Sequence, residues 1–347
     1  MKVGVSLEKL KIKSSRLQFI DLLYIMGAAY VVLGHSTINY VTDWGAPNLR
    51  ESSVATLINK YIYSFHMPLF FFISGFVYKF NISKRKYIEF KPFLVSKFNR
   101  LMVPYLLVGI LYVSVIKLIQ GQYQLDNFIS SVYKNIFLGF NPSQLWFLLC
   151  LFSIFIIYFH LRKIVDKYIN NIFINLIIFW TFFYFYCFFD LGKGYFQIDK
   201  TLDYLIYFHL GYITFAKRNL INLSNKDSIL LFITHIIFFI ISRFAHIPLS
   251  GFINSLLGIY SYFAITKTII DVFPNISKMR IYTLLRKHNL DIYLYHQQII
   301  LLLISSYKFR SLNPFLVVII SFFVSIIISI FIAKIIESIK MAKLITK

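Results

Sequence analysis

Phe65-His66-Met67-Pro68-Leu69-Phe70-Phe71-Phe72-Ile73-Ser74-Gly75-Phe76 is the stretch on which the fold of this chain turns. It is apolar all round, so as a helix it has no solvent face and belongs in a core or a bilayer. Extended to 57–79 it reaches the roughly 20 residues needed to cross a hydrocarbon layer. Pro68 frees backbone carbonyls and bends a helix, which a membrane protein tolerates beside a cavity. His66 and the Ser74-Gly75 pair are the polar and small exceptions within the span.

The remainder of the 347 residues has the same character. Hydrophobic residues make up 58%, charged residues only 14%, and mean hydropathy is +0.69. An average soluble domain carries about 25% charged residues. Too few charges remain to cover a soluble surface, so a soluble globular protein, a disordered chain and a disulfide scaffold are all excluded. Cys150 and Cys187 both lie in apolar runs, which argues against a structural disulfide or a cysteine metal site. The polar, basic first 16 residues precede an apolar run without a small-residue cleavage site, so a retained first span is expected rather than a signal peptide.

Ten segments read as spans, near 19–39, 57–79, 101–119, 144–160, 171–190, 203–216, 228–244, 251–273, 289–305 and 314–336. With the N-terminus inside, 26 of the 36 Lys and Arg fall on inner segments. Nine fall outside: Arg50, Lys60, Lys117, Lys134, Lys193, Lys200, Arg243, Lys308 and Arg310. The bias predicts an all-α polytopic bundle of about ten spans with both termini cytoplasmic. It also accounts for the net charge of +22, which is scattered between apolar runs rather than gathered on one soluble face, and so excludes nucleic acid as a partner. No loop is long enough for a second domain, so 1–347 is expected to be one transmembrane domain. Phe128–Phe140 reads as a short interfacial or re-entrant helix, and Ile88–Arg100 as an amphipathic surface helix.

Ionisable residues inside a span are costly and mark candidate sites. They are His35, His66, His209, His235, His296, Asp21, Asp291 and Lys267. His35 lies 16 residues after Phe19, or roughly 24 Å along a helix. His66 lies at a similar depth on the antiparallel second span. His296 adjoins Gln297 and Gln298, which suggests a polar cavity wall or an interhelical network. His209 and His235 stand alone on apolar helices and suit interhelical bonding. Asp21 and Asp291 sit in the first turn of their spans, where a carboxylate complements the helix dipole. Lys267 can snorkel. No close histidine spacing occurs on one helix, so no metal is expected, and there is no phosphate-binding lysine loop or dinucleotide fingerprint.

Taken in chain order, four segments resemble the acyltransferase-3 family of bacterial membrane acyltransferases. The first is Phe19-Ile20-Asp21 with Val31-Val32-Leu33-Gly34-His35-Ser36, and the second is Phe65 to Phe76. The third is Lys97-Phe98-Asn99-Arg100-Leu101 to Pro104-Tyr105, followed by Leu145-Trp146-Phe147-Leu148. The fourth is Leu290-Asp291-Ile292-Tyr293-Leu294-Tyr295-His296. The family usually carries an arginine eleven residues before the first-span histidine, where this chain has Tyr24. It also has Lys97 in place of one arginine of the basic pair completed by Arg100. A tyrosine hydrogen-bonds but is no fixed cation. The family's occasional extracellular hydrolase-like domain is not expected here.

The resemblance implies O-acyl transfer, most often of acetyl, from acyl-CoA to a hydroxyl of a cell-surface polysaccharide or lipid-linked sugar precursor, in the bacterial inner membrane. Such a transfer needs a base, oxyanion donors and cations for the CoA phosphates. The expected base is His35, with His66 orienting the acceptor, assisting proton transfer or donating to the oxyanion. Arg100, Lys97 and Arg16 are expected to hold CoA, and Asp21, Tyr24 and His296 to contact substrate. Because the basic cluster is inside and His35 is far along its helix, the pantetheine arm must enter through a cavity or the first helix must dip. The alternative from another class is a proton-coupled transporter or flippase of a lipid-linked sugar, which intramembrane histidines would also suit.

Overall fold

The computed structural model describes residues 3–41, 52–188, 194–218 and 223–339, with side chains from Gln18 onward except at 172. Among these residues all regular structure is helical. The principal helices are α1 (Val3–Ser36), α2 (Ser53–Tyr63), α3 (His66–Ser83), α4 (Phe90–Ile119), α5 (Trp146–Lys167) and α6 (Ile172–Phe188). They continue with α7 (Ile198–Ala216), α8 (Asn225–Phe244), α9 (Ser250–Val272), α10 (Arg280–Lys287), α11 (Asn289–Ser305) and α12 (Pro314–Ser338).

Among the described residues six stretches are long and apolar enough to cross a membrane: Gln18–Ser36, Ser53–Ser83, Phe90–Ile119, Ser143–Lys167, Asn225–Phe244 and Pro314–Ser338. The other four expected spans coincide with α6, α7, α9 and α11. With 17 residues each, α6 and α11 are short. Polar groups lower the apolarity of α7 and α9, among them Asp199, Lys200 and Asp203 on the first and Asn254, Ser261 and Lys267 on the second. The outer faces of α8 and α12 are strongly apolar, with Ile237, Phe244, Phe323, Ile327 and Phe331 all exposed. Patches of this extent on a protein surface require a lipid or protein cover. On its opposite side α12 buries Ser321, Ser325 and Ser329 at four-residue intervals, letting small residues face the bundle.

Local sequence explains the helix boundaries. Ser52 accepts a hydrogen bond from the Ala55 amide to open α2, and a reciprocal Ser224–Asp227 capping box opens α8. Asn313 caps α12, whose first residue is Pro314. The second expected span divides at Ser64-Phe65 into α2 and α3. Pro68 has no N–H to offer the carbonyl four residues back, which belongs to Ser64. Ser255 on α9 takes over, donating its hydroxyl to that carbonyl at 2.7 Å. The expected surface helix over 88–100 is not separate, because α4 runs on from Phe90 into the third span. It passes through a π-helical turn at Phe98–Met102, just before Pro104, where such a bulge absorbs the missing backbone bond. Between α4 and α5 a short helix at Phe128–Val132 continues as a π turn to Phe137, within the region read as interfacial. It is anchored by the Tyr105 hydroxyl donating to the Ile136 carbonyl at 2.6 Å.

Two glycines set the closest helix pair. A Cβ on Gly75 of α3 would collide with the Phe208 carbonyl of α7, and one on Gly211 with the Phe72 carbonyl of α3. α1 lies at the centre, against α3, α9, α11 and α12. Its far end is tied to α2 by Asn59, whose amide donates to Gly34 O at 3.0 Å and Thr37 Oγ1 at 3.1 Å.

Candidate active site

Three expected site residues meet where these elements converge. The His35 ring, near the end of α1, packs edge-on against His296 of α11 with centroids 5.1 Å apart. Tyr63, the last residue of α2, lies 6.2 Å from the His35 ring and 4.7 Å from the His66 ring. The α2–α3 break forced by Pro68 is therefore what turns His66 toward this group.

Hydrogen bonds fix two of the three tautomers. His66 Nδ1 lies 2.8 Å from the Ile62 carbonyl, and His296 Nδ1 lies 2.9 Å from both the Ile292 and Tyr293 carbonyls. A carbonyl only accepts, so Nδ1 donates in both rings and the neutral imidazole keeps its lone pair on Nε2. His296 Nε2 and His35 Nδ1 are buried without a hydrogen-bond partner among the described residues. Unsatisfied buried polar atoms are rare in native proteins, and here two belong to facing rings.

The α11 side of the group is braced by a residue that sequence reasoning passed over. Gln144 donates to the Leu294 carbonyl at 2.9 Å, accepts from Gln298 at 3.3 Å, and its own carbonyl accepts the Tyr293 hydroxyl. The polar cluster around His296 was legible in sequence, but its partner lies about 150 positions away in the chain.

Beneath this group a cavity of about 390 Å³ opens at the end of the bundle that carries the basic residues. Lys97, Arg100, Arg286 and Lys287 line it, with Asp21 and Tyr24 on the α1 wall. Deeper in, Ser74, Phe70 and Phe147 lead to Met67 and Tyr293. Met67 adjoins His66 in sequence, and the Tyr293 ring lies 6.3 Å from that of His296. The cavity thus runs from a cationic mouth to the floor of the histidine group, although the histidines do not line it.

The charges at the mouth are unequal. Asp21 faces Arg286 at 3.4 Å, and Lys287 pairs with Glu337 at 2.8 Å. Among the described residues Lys97 and Arg100 have no carboxylate partner. Lys97 is only 5% exposed, and its ammonium sits over the Phe155 ring at 3.9 Å and the Tyr87 ring at 4.6 Å. Aromatic faces compensate a cation weakly compared with an anion, so an anionic ligand is the natural complement of this end.

The seven candidates with described side chains therefore separate into two groups, with His35, His66 and His296 above and Lys97, Arg100, Asp21 and Tyr24 in the cavity below. Asp21 and Tyr24, expected together with His296 to contact substrate, lie with the cations. Arg16 belongs to α1, but its side chain is outside the described residues. Arg286 and Lys287 were read only as topology signals, and nothing in their spacing distinguished them. His209 and His235 are engaged elsewhere, with the Tyr158 hydroxyl at 2.8 Å and the Tyr61 hydroxyl at 3.2 Å. Asp291 pairs with the buried His288 at 2.9 Å as well as opening α11.

Comparison with curated proteins gave no match, and neither did comparison with solved structures. The acyltransferase domain model of the acyltransferase-3 family matches residues 17–334, from the start of the first span into the last turns of α12. With that match and its apolar helices, the chain belongs to the acyltransferase-3 family and is a multi-pass membrane acyltransferase.

Proposed function

We propose that this protein moves an acyl group, acetyl first among the short chains, from acyl-CoA to a hydroxyl of a cell-surface polysaccharide or its lipid-linked precursor. The observation that carries this reading is the cavity whose mouth holds two cations without a carboxylate partner among the described residues, and whose inner lining, Met67 and Tyr293, adjoins the histidine group. Its length direction answers the difficulty raised by the sequence, since a narrow ligand can enter among the cations and extend toward His35.

Bound acyl-CoA would supply the activated acyl group as a thioester. Arg100 and Lys97 hold phosphate oxygens in charge-assisted bonds, with Arg286 and Lys287 near the entrance. Tyr24 stands where the family has an arginine, and Arg100 in the same cavity provides the fixed cation. His35 takes the proton of the acceptor hydroxyl as that oxygen bonds to the acyl carbon. The carbon–sulfur bond breaks, and the same imidazole returns the proton to sulfur. His66 and His296, each with a proton fixed on Nδ1, orient the acceptor through their Nε2 lone pairs. The charge bias supports ten spans with both termini cytoplasmic, and in a bacterial inner membrane the cavity mouth would then face the cytoplasm, where acyl-CoA is made.

Mass spectrometry of surface glycans from cells with and without the gene tests this proposal. Loss of one acyl mass from a defined sugar is expected in its absence. Identical glycans in both strains, with no release of CoA thiol by the purified protein, would contradict it.

A further inference from the structure

A second cavity, of about 320 Å³, lies at the opposite end of the bundle and is absent from the reading so far. Asn59, Lys60, Ser242, Arg243, Ser250 and Asn254 line it, from α2, α8 and α9. Its lining also includes Tyr63, the ring that bridges His35 and His66. The histidine group is thus flanked from one side by the cationic cavity and from the other by this polar one.

Three features describe what the second cavity takes. First, its described wall is rich in amide and hydroxyl groups, the inventory that recognises sugar hydroxyls. Second, Asn254 is only 4% exposed, and its amide nitrogen donates to Ser242 Oγ at 3.0 Å and Ser250 O at 2.9 Å. Its Oδ1 is left without a hydrogen-bond partner among the described residues, an acceptor waiting for a donor. Third, Lys60 and Arg243 line the cavity without a carboxylate partner among the described residues, and the described lining contains no Asp or Glu. Both belong to the nine cations that oppose the orientation bias of the chain. A cation on the outer side weakens the topology signal, so two converging on one polar cavity have a local use.

Resting on the acyl-transfer reading above, we infer that this cavity is the acceptor site and that its ligand is an anionic sugar, carrying a carboxylate or phosphate held by Lys60 and Arg243. The anion fixes the register of the glycan so that one hydroxyl passes Tyr63 toward His35.

The test is binding of methyl hexoside, methyl hexuronide and methyl hexoside 6-phosphate to the full chain in zwitterionic nanodiscs, by saturation-transfer NMR without any acyl donor. At least one anionic probe should bind about tenfold more tightly than the neutral hexoside, and which one does so distinguishes carboxylate from phosphate. The Lys60→Gln/Arg243→Gln variant should lose that preference, and Lys60→Arg/Arg243→Lys should keep it. Equal affinity for neutral and anionic probes, or a preference that survives the glutamine variant, overturns the inference. So does displacement of the probes by phosphatidylglycerol in the disc, which would assign the cavity to a lipid headgroup. Because no donor is present, anionic binding without CoA release in a separate assay would retain the sugar site and reject acyl transfer.

Discussion

Among the described residues Nδ1 of His35 is buried without a hydrogen-bond partner, whereas Nδ1 of His66 and of His296 is tied to the backbone carbonyl four residues back. The proposed function uses that contrast to give different work to three chemically identical side chains. At the cavity mouth the corresponding contrast is between Arg286, which faces Asp21, and Lys97 and Arg100, which have no carboxylate partner among the described residues. A hydrogen bond to a charged group contributes about 1.5–3 kcal/mol. Lys97→Met and Arg100→Gln are therefore each expected to raise KM for acetyl-CoA by roughly 10- to 100-fold with kcat nearly unchanged, read by thiol release. His209 supplies the control. Its bond to Tyr158 is buried between α5 and α7, so His209→Phe should lower the melting temperature and leave kcat at the wild-type value below that temperature. Histidines in spans were legible as candidates from sequence, because charge in a bilayer is costly. Separating site from scaffold was not, since the partners of His209 and His235 lie 51 and 174 positions away.

Helix α3 shows how an element converts local sequence into site geometry. Pro68 made a bend legible in the sequence. The device that stabilises it, Ser255 on the Ser64 carbonyl, is 191 positions away and has no local signature. Ser255→Ala leaves that carbonyl unpaired, and a loss of about 1–3 kcal/mol is expected in unfolding of the detergent-solubilised protein. The same helix meets α7 through Gly75 and Gly211, each against a carbonyl that cannot move aside without shifting its helix. Gly75→Ala is expected to cost about 1–3 kcal/mol or more by overpacking, seen as a lower melting temperature. A variant that melts as the wild type would show that the pair has slack. The boundary of α4 was misread for a related reason, because Lys97 and Arg100 made its start look like a surface helix. The π turn before Pro104 carries those cations into the cavity wall while the helix continues.

At the scale of the whole molecule, composition alone decided the membrane class, and the order of apolar runs decided most helix positions. The span count was harder, because α6 and α11 are short and polar groups lower the apolarity of α7 and α9. Ten spans place residue 84 on the cytoplasmic side and residue 308 on the outer side. In a chain with Cys150 and Cys187 replaced by alanine, Lys84→Cys should resist an impermeant maleimide in intact cells and Lys308→Cys should react. Labelling of both, or of neither, would contradict an even count with this orientation. On the proposed reading, the two cavities on either side of the histidine group take the donor and the acceptor from opposite faces. The central claim is that His35 is the base at their meeting point. It is tested most directly by CoA thiol release from acetyl-CoA, using purified protein in nanodiscs and unacylated surface glycan from cells lacking the gene. His35→Ala should lower kcat by about 10²- to 10⁴-fold while the KM for acetyl-CoA and the melting temperature hold; a wild-type rate from that variant would contradict the assignment.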